Sequence, residues 1–478
     1  MTVTPTSPQH SEHFAEHRLT SGADRAEHGR AARKRTPRPS HADWTPPANR
    51  RDPVTLLEEQ NEARVPWLIP IRHARMRVSP FTFFRGAARI MANDLAVTPT
   101  SGLNVQLGGD AHLSNFGAYA SPSRELVFDQ NDFDETLPGP WEWDVKRLAA
   151  SFFVAASEIG LSRSRARDAT SAAVESYRAA MARFGDSGYL DLWYEHTAVA
   201  HAAAETEVDS AALEKRLARF ERRARSKTNL QALAKLAEDV GGQYRLRSQS
   251  PVLVPLRDLP AEYDAAAVEA AALDGFERYK GTLSDDRHAL LDRYTPLDVA
   301  LKVVGVGSVG THCLVLLLEG RDRDDPLFLQ IKEAPNSVLE EFLGPSAYPN
   351  HGRRVVEGQR LIQAQSDIFL GWTEGTIEHR HFYVRQLRDW KGSAEVAGAT
   401  PEDLRFYAQL CGMTLARGHA RSGDAVAIAH YMGKSSTFDR AITDFSEAYE
   451  RQNREDYAAF LAAIEAGRLP VSENPEIL

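Results

Sequence analysis

The sequence predicts an α+β protein with a large helical lobe and a small lobe built on an antiparallel sheet. Three observations carry that reading. Residues 144–184 and the region from Pro401 onward are dominated by Ala, Leu, Val, Glu and Arg at helical spacing. Between these blocks, residues 298–304, 311–319 and 326–332 are β-rich and joined by turn sequences. The length, 478 residues, exceeds what one hydrophobic core usually serves, so two lobes are expected.

Composition narrows the class. With 42% apolar and 26% charged residues the chain reads as an ordinary soluble globular protein. A net charge of -9, with a basic stretch only near the N-terminus, argues against a dedicated nucleic-acid binder. The two cysteines, Cys313 and Cys411, sit in apolar stretches, which suits buried thiols in a reducing, cytoplasmic setting and not a disulfide framework. Residues 1–22 lack the apolar core of a signal peptide, and the longest strongly apolar run, 313–318, is too short to span a bilayer. No membrane partner is expected.

Along the chain, residues 1–51 are rich in Pro, Ser, Thr, His and Arg and read as a disordered tail. Residues 52–290 form the helical lobe. Within it, Phe81, Phe84, Ala88, Met91 and Leu95 mark one helix over 80–96, and Arg72, Arg75, Arg77 and Arg85 face either an anionic ligand or a surface acidic patch. Short strands at 104–107 and 125–128 flank a polar loop, Pro138-Gly139-Pro140 reads as a turn, and helices continue to about residue 279. The sign-alternating segment 214–227 is a solvated helix face. Residues 291–390 form the small lobe: a three-stranded meander, a helix over 353–365, then strands near 368–372 and 381–387. That order is the order of a kinase small lobe. Residues 391–478 supply helices that complete the large lobe.

Two acidic motifs carry the chemistry. Gly109-Asp110-Ala111-His112-Leu113-Ser114-Asn115 and Phe128-Asp129-Gln130-Asn131-Asp132-Phe133-Asp134 lie on either side of one strand-like stretch. Kinase-type phosphoryl transfer needs an Asp to take the acceptor proton, an Asn on the metal, and an Asp bridging metal to phosphates. Asp110, Asn115 and Asp132 fill those roles, with Asp129 competing for the metal. His112 either braces the loop or ligates. Carboxylates packed this densely repel one another unless a cation sits among them, and an EF-hand is excluded because Phe133 and Asp134 stand where an oxygen ligand and a glycine are required.

Gly305-Val306-Gly307-Ser308-Val309-Gly310 is a weak signal alone, because dinucleotide-binding folds share it. Its context decides, since the following residues 311–318 read as a returning strand and not as a helix. Gly305, Gly307, Ser308 and Gly310 would cover the nucleotide phosphates, and Lys332 would reach them from the third strand. The carboxylate partner of that lysine is assigned to Glu357, with Glu340 and Glu341 as alternatives. His312 departs from the branched residue expected over an adenine.

The Gly109 to His112 motif with Asn115 resembles the catalytic loop of aminoglycoside and choline phosphotransferases, and Asp132-Phe133-Asp134 resembles their metal motif. Asp144-Val145 resembles the Asp-Leu-Ala that opens their next helix. Longer stretches resemble the DUF2252 family, bacterial proteins of unassigned function related to the kinase-like superfamily: Ser79-Pro80-Phe81-Thr82-Phe83-Phe84-Arg85-Gly86, residues 109–117, 131–147 and 305–332, Arg354-Val355-Val356-Glu357-Gly358-Gln359-Arg360, and residues 415–424. The resemblance implies a phosphotransferase-like two-lobe fold. Because the glycine loop follows the catalytic loop by about two hundred residues, the fold would be circularly permuted, which leaves the assembled site intact. The expected activity is transfer of the ATP γ-phosphate, with Mg2+ or Mn2+, to a hydroxyl of a small-molecule acceptor. AMP transfer on the same fold, nucleotide binding without turnover, and a metal-dependent hydrolase using Asp110, His112 and Asp132 are the alternatives. The segment 419–424 either lines the cleft or caps a helix.

Overall fold

The computed structural model describes residues 21–201, 211–259, 264–303, 305–376, 379–387, 390–393 and 396–473. The expected disordered tail gives way to order over its described part; residues 1–20 lie outside the described residues. Helix α1 (Gly22–Arg35) opens on a capping box between Ser21 and Asp24 and ends on Arg33, Lys34 and Arg35, so both ends suit the helix dipole. It has no broad apolar face. It buries Ala26, Gly29 and Ala32, and a Cβ on Gly29 would stand 2.1 Å from the Ala427 carbonyl oxygen. Arg25 secures the contact through an ion pair with Asp424 at 2.8 Å. Further on, Arg50 reaches Asp94 at 2.7 Å and Asp456 at 2.6 Å.

Helices α2 (Pro53–Asn61), α3 (Ile69–Met76), α4 (Pro80–Gly86) and α5 (Ala88–Leu95) follow. The single helix expected over 80–96 is thus two. The Arg72 guanidinium takes the Gly86 carbonyl at 3.0 Å, and Ala87 leaves helical geometry at φ -107°, ψ 31°.

Short strands then hold the polar loops. β1 (Asn104–Leu107) is followed by the antiparallel hairpin β2 (Phe116–Ala120) and β3 (Leu126–Gln130), and β4 (Leu137–Pro140) returns to pair with β1. The expected Pro-Gly-Pro turn is therefore the β4 strand itself: proline's φ suits extended backbone, and a two-stranded ladder leaves an open edge for residues without an N–H.

Helices α6 (Trp141–Glu158) and α7 (Arg163–Asp186) build the main apolar core, where Trp141 stacks on Tyr177 with centroids 5.6 Å apart. After α8 (Tyr189–Tyr194), β5 (Thr197–Ala198), α9 (Ala211–Arg225) and α10 (Asn229–Leu236), the region expected to be helical forms a hairpin, β6 (Ala237–Val240) and β7 (Gln243–Leu246), and a strand, β8 (Leu253–Pro255). Helices α11 (Ala265–Lys280) and α12 (Asp285–Leu291) lead into the principal sheet.

That sheet contains β9 (Thr295–Lys302), β10 (Cys313–Glu319) and β11 (Pro326–Glu333); then, past α13 (Glu340–Leu343) and α14 (His351–Ile362), β12 (Gly371–Glu374) and β13 (His381–Gln386). Its spatial order is β12-β13-β11-β10-β9-β8, antiparallel throughout, so β8 joins it from before the expected boundary at residue 291. Alternation sorts its side chains. Leu316, Leu318, Leu329 and Ile331 bury one face with Phe276, Tyr279 and Leu291. Val315, Leu317 and Phe328 meet Leu233 and Leu236 on the other, the face that also carries Lys332.

Helices α15 (Pro401–Ser422), α16 (Ala425–Met432) and α17 (Thr437–Glu465) complete the helical part. α15 crosses α7 so closely that a Cβ on Gly412 would lie 2.0 Å from the Ala173 carbonyl oxygen. The protein is a mixed α+β structure with several antiparallel sheets. Among the described residues no helix is long and apolar enough to cross a membrane.

The close approach of α1 to α16 gives a direct check on the ordered N-terminal region. Gly29→Leu should lower stability by about 1–3 kcal/mol, the usual penalty for overpacking. An unchanged denaturant midpoint would place α1 off the body of the protein.

Candidate functional site

The polar loop after β1 is pinned from behind. Gly109 has φ +84°, and a Cβ there would stand 2.2 Å from the Glu135 carbonyl oxygen, so only glycine fits. The Gly108 and Gly109 amides donate to the Asp144 carboxylate at 2.7 and 3.0 Å. Asp144 also contacts His419 Nε2 at 3.2 Å, and His419 Nδ1 lies 2.8 Å from the Tyr177 hydroxyl. His419 is fully buried and so braces the loop from α15; Asp424 caps α16 by accepting the Ala427 amide at 3.0 Å.

Asp110 emerges from this brace into the cleft. Its Oδ1 accepts from Arg147 Nε at 2.9 Å and lies 2.8 Å from Nη2, while the Arg147 guanidinium stacks on Phe84 at 3.9 Å. Asn115 donates to the Asp110 carbonyl at 2.7 Å, and its own carbonyl accepts the Asn131 amide at 2.8 Å, tying the two acidic motifs together. His112 Nε2 stands 3.7 Å from Asp110 Oδ2. Burial, with Arg147 and Arg85 nearby, holds the His112 imidazole well below its ordinary pKa and therefore neutral.

The second motif divides by strand register. Asp129 is still in β3, buried, where it pairs with Arg417 and accepts the Gln130 and Ala364 amides at 2.9 and 3.1 Å. Asp129, the competing candidate for the metal, thus faces Arg417 and the Ala364 amide, while Asp132 takes the cleft side. Asp132 and Asp134 lie past the strand end and line the cleft. Phe133, between them, is buried with Val355, Val356, Ile362 and Tyr383, which fixes the turn against α14 and β13.

Lys332 completes the centre from β11. Its Nζ hydrogen-bonds Asp134 and lies 3.8 Å from Asp132 Oδ1. Tyr383, opposite Lys332 on β13, donates to Asp134 Oδ1 at 2.8 Å, and Ser308 donates to Oδ2 at 3.1 Å. Burial opposes the Lys332 charge, but the two carboxylates outweigh it and hold the ammonium protonated above its ordinary range. Asp132 is raised by burial and by Asp134 beside it; burial also raises Asp134, but Lys332 and Tyr383 overcome this and lower it. The lysine's expected partner, Glu357, does not join: it lies 3.8 Å from Arg353 and 3.7 Å from Arg360, on its own helix. Glu340 and Glu341 contact other residues, Glu340 lying 3.5 Å from His351 and Glu341 2.6 Å from Arg51.

The glycine turn connects β9 to β10 as a hairpin and closes over this centre. Gly305 and Gly310 take φ +67° and +99°. Gly305, Gly307 and Ser308 line a cleft of about 670 Å³ together with Asp110, Asn115, Asp132 and Asp134. The helical wall grips the turn: Arg75 donates to the Gly305 carbonyl at 2.6 Å, Arg64 to that of Val309, and the Val65 amide to that of Gly310 at 2.8 Å. Val306 is buried with Val54, Leu56 and Phe83. His312, the departure noted in the sequence, is held by Glu333 at 2.8 Å.

Sequence reasoning passed over Asp134, Glu135 and Arg147 as site residues. Arg147 had a findable signal, standing one helical turn after Asp144 on α6 and therefore on the same face. Among the described residues no cluster of three or more His, Cys, Asp or Glu is arranged to hold a metal ion.

Residues 64–463 match the model of DUF2252, described as an uncharacterized protein conserved in bacteria, and the chain belongs to that family. Searches of curated proteins and of solved structures give no significant match.

Glu135 offers a pH test of the cleft's burial. Desolvation pushes its carboxyl up to about 7, against a hydrogen bond from the Val338 amide at 2.7 Å. A carboxyl raised on folding contributes stability that is complete below its unfolded value of about 4.3 and is lost as pH rises through about 7. Glu135→Gln should therefore melt near wild type at about pH 5 and above it at about pH 8.5. Equal differences at both pH values would contradict a buried carboxyl.

Proposed function

We propose that the chain is a permuted kinase-fold phosphotransferase that moves the ATP γ-phosphate to an acceptor hydroxyl. One observation carries the reading: Lys332 of the third strand, Ser308 of the glycine turn and the Asp132-Phe133-Asp134 turn converge, although 198 residues separate Lys332 from Asp134. The strand order supports it. A meander, a helix, then two strands added beside the third give β12-β13-β11-β10-β9, the order expected of a kinase small lobe, with β8 as a further edge strand, and a catalytic loop preceding it in sequence would fit a circular permutation.

In this account Lys332 and the amides of the Gly305 to Gly310 turn meet the phosphates. Asp132 and Asn115 would hold Mg2+ or Mn2+, with Asp134 adjacent. Mg2+ takes one or two carboxylates and completes its shell with phosphate oxygens and water, a demand that Asp132 and Asn115 would meet. The metal would neutralise charge developing on the transferred group. Asp110 accepts the acceptor proton as its oxygen attacks the γ-phosphorus; the bond to the β–γ bridging oxygen breaks and ADP leaves. A nucleotide-binding protein without turnover is the second reading, favoured by Arg147, whose guanidinium occupies Asp110 Oδ1 from both Nε and Nη2. The hydrolase reading leaves Lys332 and the glycine turn without a task.

Paired variants separate the roles. Asp132→Ala should abolish Mg2+-dependent ATP binding in calorimetry. Asp110→Asn should keep ATP affinity within a few-fold yet slow phosphate transfer or ATP hydrolysis about a hundredfold or more. Unchanged metal dependence in the first variant would remove Asp132 from the metal, and unchanged turnover in the second would remove Asp110 as base.

A further inference from the structure

The cleft contains arginines for which nucleotide binding gives no task. Arg89 is committed to Glu59 at 2.7 Å and Glu341 at 3.1 Å, and Arg380 to Glu333 at 2.6 Å. Arg64 and Arg85 line the same cleft, yet neither has an ion-pair partner among the described residues, and the Nε of each is buried without a hydrogen-bond partner. Both flank the glycine turn from the helical wall. The Arg64 stem packs on Gly310, where a Cβ would stand 2.9 Å away, and the Arg85 carbonyl oxygen lies 3.4 Å from the Cβ position of Gly307.

The surrounding carboxylates do not supply the missing partner. Arg85 faces Asp110 and Asp132. Asp110 is already held by Arg147, and Asp132 would give its charge to the metal once the site is loaded. Arg64 faces Asp134, Glu135 and Glu333. Asp134 is taken by Lys332 and Tyr383, Glu135 accepts the Val338 amide, and Glu333 is taken by His312 and Arg380. The Arg85 guanidinium, with no hydrogen-bond or ion-pair partner among the described residues, and the Arg64 guanidinium, whose one partner there is the Val309 carbonyl, make a receptor for a planar or tetrahedral oxyanion in this partly buried cleft.

We propose that Arg64 and Arg85 form an oxyanion subsite for the acceptor, so that the molecule phosphorylated carries a carboxylate or phosphate group near its reacting hydroxyl. The inference rests on the phosphotransferase reading above. The acceptor and not the nucleotide is the source of the anion, because Lys332, the metal and the turn amides already answer the nucleotide phosphates from the sheet side. Arg64 and Arg85 stand on the opposite, helical wall, with Arg85 beside the carboxylate that must receive the acceptor proton.

The test uses the full chain saturated with Mg2+ and the non-hydrolysable analogue AMPPNP, so that the γ-phosphate position is filled. This complex is titrated calorimetrically with inorganic phosphate and with D-glycerate, and with glycerol as the uncharged control. The anions should bind saturably and glycerol should not. Arg85→Gln and Arg64→Gln should each weaken the anions about tenfold or more, as loss of a charge-assisted hydrogen bond implies, while AMPPNP affinity of Arg85→Gln, which makes no side-chain contact with the glycine turn, stays within about threefold. Arg85→Lys and Arg64→Lys keep the charge and should retain part of the binding, which guards against variants that merely fail to fold. Absence of anion binding to the wild-type complex, or binding unchanged in both Gln variants, overturns the proposal. So does a selective loss of AMPPNP relative to ADP in Arg85→Gln, which would assign the guanidinium to the γ-phosphate. If wild type binds no AMPPNP, the phosphotransferase reading itself falls. Phosphate titration of the nucleotide-free chain then decides the subsite: arginine-dependent binding supports it, and arginine-independent or absent binding overturns it.

Discussion

A buried lysine ammonium must be paired, and the pairing of Lys332 with Asp132 and Asp134 is the constraint on which the rest of the structure depends. Lys332 is only 2% exposed, so an uncompensated charge there would be strongly destabilising. Meeting the two carboxylates requires the principal sheet to lie against the acidic turn. It also requires Phe133 to anchor that turn on α14 and β13, and Tyr383 and Ser308 to satisfy the remaining Asp134 lone pairs. Burial, and Asp134 beside it, raise the Asp132 carboxyl against the pull of Lys332 and Arg385.

The opposite wall obeys a complementary rule. Helices α2 to α4 reach the glycine turn through arginine contacts to backbone carbonyls and through the burial of Val306, so the turn is held at both ends by the helical part. The glycine turn is thus tied not only to its own strands but to residues that precede the Asp110 loop in sequence. The Asp144, His419 and Tyr177 chain performs the equivalent service for the Asp110 loop, joining α6, α15 and α7 behind it.

Much of this centre was legible because its residues carry chemistry that their spacing makes recognisable. Asp110, Asn115, Asp132, the glycine turn and Lys332 all reach one cleft or its immediate wall. What spacing could not resolve was register and partner choice. Asp129 and Asp132 are three residues apart, yet one ends inside β3 against Arg417 and the other beyond the strand, in the cleft. Glu357 is on the expected helix, but arginines one turn away on either side hold it, and Asp134 takes its place beside Lys332. The N-terminal helix escaped notice because it packs through Ala26, Gly29 and Ala32, and small residues that allow backbone contact look no different in composition from a solvated tail.

The most direct measurement is a crystal structure of the chain with Mg2+ and a non-hydrolysable ATP analogue. The account predicts the triphosphate between the Gly305 to Gly310 turn and Lys332, the metal on Asp132, and the γ-phosphate directed toward Asp110. A nucleotide bound away from Lys332, or a metal seated without Asp132, would contradict it.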